Sequence, residues 1–189
     1  MGISGNPPLL LDLPRVKEDR IPVLQRFSGG GTVVVDEATL FITFIFSKGG
    51  VDIHPFPEKI LRWSADLYGS AWQIPGFQLQ ENDYAIEDKK CGGNAQYIRK
   101  ERWLHHTSFL WDYQPENMNY LLLPPKRPQY RKDRSHGDFL CRLKDHSPHP
   151  NELIAKLRTE LVKRFYIEDF DLESWQEGPH RKAARHVTV

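Results

Sequence analysis

Apolar residues along the chain fall into runs of two kinds. Thr32–Val35 and Leu40–Phe46 are nearly continuous, β-branched and aromatic. This predicts two buried strands joined as an antiparallel hairpin through the polar turn at Asp36–Thr39. Helical spacing takes over at Pro57, where Ile60, Leu61, Ser64, Leu67, Tyr68, Ala71 and Trp72 share one face up to the Pro75-Gly76 stop. Short strands are expected at Phe77–Leu79, Tyr84–Ile86, Lys90–Ile98 (carrying Gly92-Gly93) and Trp103–Leu110, separated by polar turns, as an antiparallel meander. A short helix is expected over Pro115–Leu123 and a short strand over Phe139–Leu143. The clearest helix is expected over Asn151–Phe165, with Leu153, Ile154, Leu157, Leu161 and Phe165 on one stripe. Pro7-Pro8 argues against a helix start before Leu9, so Leu9–Leu11 is read as a single packed turn. The sum is an α+β domain over residues 1–175, a mixed and largely antiparallel sheet flanked by helices. Residues 176–189, ending in a basic stretch from His180, are expected to be disordered.

Composition narrows the function classes. The chain has 189 residues, 39% hydrophobic, with five Trp, seven Tyr and ten Phe to fill a core. The net charge of +1 gives no global field to gather nucleic acid or anionic lipid. No apolar run approaches the roughly 20 residues of a membrane span, and Met1–Leu13 lacks a signal-peptide pattern. Two cysteines, Cys91 and Cys141, fit a reducing compartment better than a disulfide framework.

Candidate chemistry concentrates at Gln25-Arg26-Phe27-Ser28-Gly29-Gly30-Gly31-Thr32. Consecutive glycines let backbone N–H groups approach a ligand, and Arg26 adds a cationic fork; the alternative is a flexible turn before a strand. Because the glycines feed a strand and not a helix, a Walker loop or dinucleotide fingerprint is excluded. A second cluster is Asn82-Asp83 with Lys90, Gly92 and Gly93, where an ammonium and bare backbone can face one ligand; the alternative is a bulged strand ending in a solvated lysine. In His105-His106, neighbours on a strand point to opposite faces, so at most one faces a site. The remaining histidines lack metal-ligand spacing, and no metal site is read. Cys91 and Cys141 are candidate nucleophiles or inert thiols. The basic run Lys126–Arg134 suits an acidic protein partner at least as well as nucleic acid.

In this order, Arg26, Ser28, Gly29–Gly31, Val33, Asp36, Asn82-Asp83, Lys90, Gly93, Ala95 and His105-His106 resemble the catalytic domain of lipoate-protein ligase A and its octanoyltransferase relatives, in the biotin/lipoate ligase superfamily. The resemblance covers Met1 to about Trp175. It implies a mixed sheet flanked by helices. It also implies a ligase that forms lipoyl-AMP or its octanoyl counterpart from ATP and Mg, then passes the acyl group to a lysine of a carrier. The carriers implied are lipoyl domains of 2-oxoacid dehydrogenases or the glycine cleavage H protein, in mitochondria, plastids or cytoplasm. Lys90 would be the catalytic group. Arg26, Ser28, Gly29, Gly30, Gly31, Thr32, Asn82, Asp83, Gly93, Ala95 and His106 would bind substrate. A transferase would need a cysteine instead, for which Cys141 is the candidate; a non-catalytic homologue binding acyl group or carrier is the further alternative. The chain departs from the family pattern at Gln25, Val35, Asn94 and Thr107. Family members carry further strands and a helix before the position of Met1. The resemblance therefore implies missing first elements, an unpaired sheet edge and poor solubility.

Overall fold

The computed structural model describes residues 1–147, 149–171, 173–175 and 184–189. The chain opens with two short helices, α1 (Pro7–Leu10) and α2 (Leu13–Glu18), and the two-residue strand β1 (Leu24–Gln25). Then come β2 (Thr39–Ser47), α3 (Pro57–Trp72), β3 (Phe77–Gln80), β4 (Asp83–Ile86), β5 (Lys89–Ile98) and β6 (Arg102–Leu110). Helices α4 (His136–Phe139) and α5 (Pro150–Leu161) and the strand β7 (Arg185–His186) complete the described elements, with 3₁₀ turns at Pro115–Tyr120, Gln129–Arg131 and Leu143–Asp145. A five-stranded sheet in the order β2-β6-β5-β4-β3 is antiparallel at every pairing. The α+β reading therefore holds.

Burial alternates along β6: Trp103, His105, Thr107 and Phe109 point into the core, and Leu104, His106, Ser108 and Leu110 point to the other face. Helix α3 covers the core face with Ile60, Leu61, Ser64, Leu67, Tyr68 and Trp72, the stripe its spacing predicts apart from Ala71. Pro57 sits in its first turn and Gln73 ends it in the left-handed conformation. Helix α5 packs alongside through Leu153 and Leu157, and the Trp72 indole donates to the Leu153 carbonyl at 3.0 Å. Tyr68, Trp72, Tyr84 and Phe109 meet with ring centroids 4.7–5.3 Å apart, the range in which aromatic pairs gain beyond their buried area.

A chain of polar groups threads this core. Ser64 Oγ lies 2.6 Å from Tyr84 Oη, which lies 2.8 Å from His105 Nε2; Thr107 Oγ1 joins His105 Nε2 at 3.2 Å and accepts from Tyr68 Oη at 3.2 Å. Burial, with a smaller contribution from His106, lowers the His105 pKa to about 4. The folded state thus holds His105 neutral while the unfolded chain protonates it near its ordinary 6.5, so the unfolded state binds more protons as pH falls between those values. Stability should be fully present above about pH 6.5 and decline by up to about 3 kcal/mol on going to pH 4. Urea titrations of the wild type and of His105→Gln across that range test this, the variant losing the histidine's share of the slope.

Several local expectations change. Thr32–Val35 forms no strand; β2 takes β6 as its neighbour, and Val33 and Val35 are exposed. β-branched composition favours extended backbone without supplying a partner strand. Helix α1 begins at Pro7, whose missing N–H costs nothing in a first turn. Phe139–Leu143 is not a strand: α4 ends there, and Leu140 makes a single parallel bridge to Lys90. Pro115–Tyr120 forms a 3₁₀ turn, and α5 stops at Leu161. Within the tail read as disordered, β7 pairs with β1, and the Arg185 guanidinium holds Gln25 Oε1 at 2.8 and 2.7 Å. Residues 176–183 lie outside the described residues.

Candidate functional site

The sheet face opposite α3 carries the site. Residues Met1–Val35 cross it: Arg26 N–H donates to the Met1 carbonyl, Ile3 N–H to the Ser28 carbonyl, and Met1 N to the Leu24 carbonyl, at 2.9, 2.9 and 2.7 Å. Between this segment and the sheet runs a groove with two chambers, of about 960 and 600 Å³. Both are lined by Gly30–Val34, Asp83, Lys90, Gly93 and Ser108, so the glycine segment lies across the groove and Lys90 stands where the chambers meet. The larger chamber has apolar walls, among them Leu11, Val16, Val23 and Phe41. The smaller one is edged by Lys126, Arg131 and His136. Apolar depth with a few convergent charges is the usual make-up of a small-molecule site.

Lys90 owes its aim to an irregularity in β5. Tyr84 pairs with Gly92 but Ala85 with Lys90, leaving Cys91 as the additional residue of a bulge. Such bulges re-aim side chains beside functional sites. A Cβ added at Gly93 would sit 3.3 Å from Lys90 Nζ, so the bare glycine makes room for the ammonium. Lys90 Nζ pairs with Asp83 Oδ1 at 2.7 Å, with side chains 23% and 14% exposed. The other carboxylate oxygen, Asp83 Oδ2, accepts from Tyr130 Oη at 3.1 Å. An ion pair this far from water persists only where its remaining lone pairs are satisfied, which Tyr130 does. Burial, then the Asp83 charge, raises the Tyr130 pKa, keeping the phenol a donor.

The glycine loop is braced by its own arginine. One terminal nitrogen of Arg26 donates to the Gly29 and Gly31 carbonyls at 3.1 and 2.8 Å, and Arg26 Nε is buried without a partner. Thr32 Oγ1 is likewise buried and unpaired. Both are buried polar atoms left without a partner beside the same loop, a cost the folded chain carries there. Gly30 has φ +103°, and a Cβ there would come within 3.0 Å of the Arg26 nitrogen and 3.1 Å of the Asn94 carbonyl. Gly30→Ala should therefore weaken ligand binding by about tenfold while costing about 1–2 kcal/mol of fold stability; calorimetric titration and urea unfolding measure the two separately.

His106 faces the groove and His105 the core, the split that strand alternation predicts. The His106 ring stacks on Phe41 at 4.9 Å and its Nδ1 lies 2.5 Å from Thr43 Oγ1; burial, then Arg26, lowers its pKa. Arg26, Gly29, Gly30, Gly31, Thr32, Asn82, Asp83, Lys90, Gly93, Ala95 and His106 thus converge on one groove. Ser28 does not join them: it is buried behind the loop, where its carbonyl holds Ile3. Cys141 also lines neither chamber; its N–H donates to the Lys90 carbonyl at 2.9 Å and its thiol to the Lys89 carbonyl at 3.4 Å. Arg131 and His136 line the smaller chamber and Tyr130 reaches it only through Asp83; the sequence did not single out any of the three as part of the site. Its only signal for them was the basic run, read as a surface patch. Among the described residues no group of three or more His, Cys, Asp or Glu is placed to hold a metal ion, and no helix is long and apolar enough to cross a membrane.

Comparison with known proteins places the chain in a family. The family model for the lipoyl protein ligase A/B catalytic domain matches residues 1–166. The chain belongs to that family. A curated relative from Plasmodium falciparum, named inactive lipoate–protein ligase 2, is 32% identical over 184 aligned residues, covering 77% of this chain and 48% of that protein. The chain spans between 27% and 50% of the length of the curated relatives compared. The bi-partite lipoate protein ligase of Thermoplasma acidophilum, described with its E2 lipoyl domain, superposes with a TM-score of 0.69 at 21% identity, over 86% of this chain and 65% of that one. A lipoate-protein ligase A bound with ATP gives 0.69 at 18% identity, over 86% and 66%. At these identities the two structures show a shared fold.

Proposed function

We propose that this lipoyl-ligase-family domain activates lipoate or octanoate with ATP and transfers the acyl group to the lysine of a carrier protein. The observation that carries the reading is Lys90 at the junction of the two chambers, both of which are also lined by the glycine loop that Arg26 braces. The apolar chamber suits an acyl chain and the basic one a nucleotide phosphate region, so the mixed anhydride of an acyl-adenylate falls at Lys90. An ammonium held by Asp83 offers positive charge where negative charge develops on carbonyl and phosphate, with no proton transfer. The relatives compared are lipoate ligases, one of them described with ATP and one with an E2 lipoyl domain. Lipoyl carrier domains are accordingly the partner class we assign. Mg would arrive with ATP as part of the substrate.

A second reading, an acyl-binding homologue without adenylation, is favoured by a specific observation. The Arg26 terminal nitrogen is spent on its own loop, and the relative at 32% identity is named inactive. Exchange of labelled pyrophosphate into ATP, dependent on lipoate or octanoate, separates the two. Exchange supports the ligase; calorimetric binding of lipoate without exchange supports the acyl binder.

A further inference from the structure

We propose that Cys91 and Cys141 form a thiol pair that takes a small-molecule disulfide, such as glutathione disulfide, and closes to an intramolecular disulfide behind Lys90. Both cysteines are free. They come from segments remote in sequence that one contact brings together: Lys90 bridges Leu140 in parallel, and Cys141 N–H donates to the Lys90 carbonyl at 2.9 Å. The residues that follow, Cys91 on β5 and Cys141 on the bridged segment, are therefore neighbours, at about the 4.8 Å spacing of paired extended chains. That spacing falls within the Cα separations a disulfide spans, about 4.4–6.8 Å.

Each thiol's present bonds are replaceable. Cys91 Sγ donates to the Tyr84 carbonyl and Cys141 Sγ to the Lys89 carbonyl, each at the long distance of 3.4 Å. The environments are unequal in a useful way. Cys141 is half-buried, and its pKa is lowered, chiefly by Cys91, with Lys89 contributing. Cys91 is fully buried, and burial pushes its thiol up. A half-buried thiol of lowered pKa beside a buried one of raised pKa is the arrangement of an attacking and a resolving cysteine.

The step balances. The Cys141 thiolate attacks one sulfur of glutathione disulfide, and the S–S bond breaks to release a first glutathione thiolate. Cys91 then gives up its proton and attacks Cys141 Sγ in the mixed disulfide, releasing a second. The protein pair is oxidised by two electrons, the reagent is reduced by two, and the protons leave with the two glutathione thiols. The new bond would tie β5, next to Lys90, to the chain that follows the Lys126–Phe139 wall of the smaller chamber. The proposal does not depend on the groove's substrate.

The test treats the full chain with glutathione disulfide and follows intact mass and peptide mapping. The expected result is a monomer that has lost two hydrogens, a linked peptide joining Cys91 to Cys141, and full reversal by dithiothreitol. Cys141→Ser should abolish the linkage and leave Cys91 unreactive to iodoacetamide until the protein is denatured. Cys91→Ser, in contrast, should stop at a stable glutathione adduct on Cys141. Circular dichroism of each variant confirms folding. A wild-type adduct on Cys141 that never resolves, an intermolecular dimer, or no reaction would each overturn the proposal.

Discussion

Lys90→Ala is expected to lower lipoate- or octanoate-dependent pyrophosphate exchange by about 10²–10³ with little change in KM for the acid. Lys90 lines both chambers, Gly93 leaves its ammonium uncrowded, and Asp83 with Tyr130 fixes its position. A preorganised charge costs no reorganisation when negative charge develops on the reacting carbonyl and phosphate, so its removal acts on the transition state more than on the bound acid. Arg26 and the glycine loop remain in the variant, which should preserve ground-state binding. Lys90→Arg should recover little, because a planar fork does not fit the space that Gly93 leaves for a compact ammonium. A rise confined to KM, with kcat unchanged, would assign Lys90 to binding alone.

Phe109→Ala is expected to cost about 3–5 kcal/mol of stability, read as a lower urea midpoint at unchanged slope. Phe109 is fully buried and its ring meets Tyr68, Trp72 and Tyr84 at 4.9, 4.7 and 5.2 Å. It also explains Gly92: a Cβ there would stand 2.6 Å from Phe109 Cδ1. Gly92→Ala alone should therefore destabilise by about 1–3 kcal/mol through overpacking. In the Phe109→Ala background much of that cost should vanish, because the clashing ring is gone. Additive losses in this double-mutant cycle would contradict the packing described. Because Gly92 lies two residues from Lys90 on the bulged strand, this packing also anchors the residue at the centre of the groove.

The sequence made the scaffold legible where periodicity and partners agree. The stripe of α3 from Ile60 to Trp72 appears apart from Ala71, and the alternation of β6 separates His106 from His105. Lys90 with Gly93 was legible because an ammonium beside missing side chains has a local signature. Thr32–Val35 was misread as a paired strand because β-branching reports extended backbone only, and the partner, β6, is decided by tertiary pairing with β2. Ser28 looked like part of the binding loop by adjacency, yet its burial behind Gly29 depends on Ile3, more than 20 residues away. Tyr130 was not legible as a site residue, since its value lies in one hydrogen bond to Asp83 across 47 positions.

The central claim, that the groove is built for an acyl-adenylate, is tested most directly by calorimetric titration with a non-hydrolysable octanoyl-adenylate analogue bearing a sulfamate in place of the phosphate. A ligand spanning both chambers gains what octanoate and the nucleotide gain separately, without a second loss of translational freedom. The account requires the analogue to bind at least about 10²-fold more tightly than octanoate or ATP alone, with that advantage reduced in Gly30→Ala. Binding no tighter than octanoate alone would contradict it and leave a groove that holds only the acyl chain.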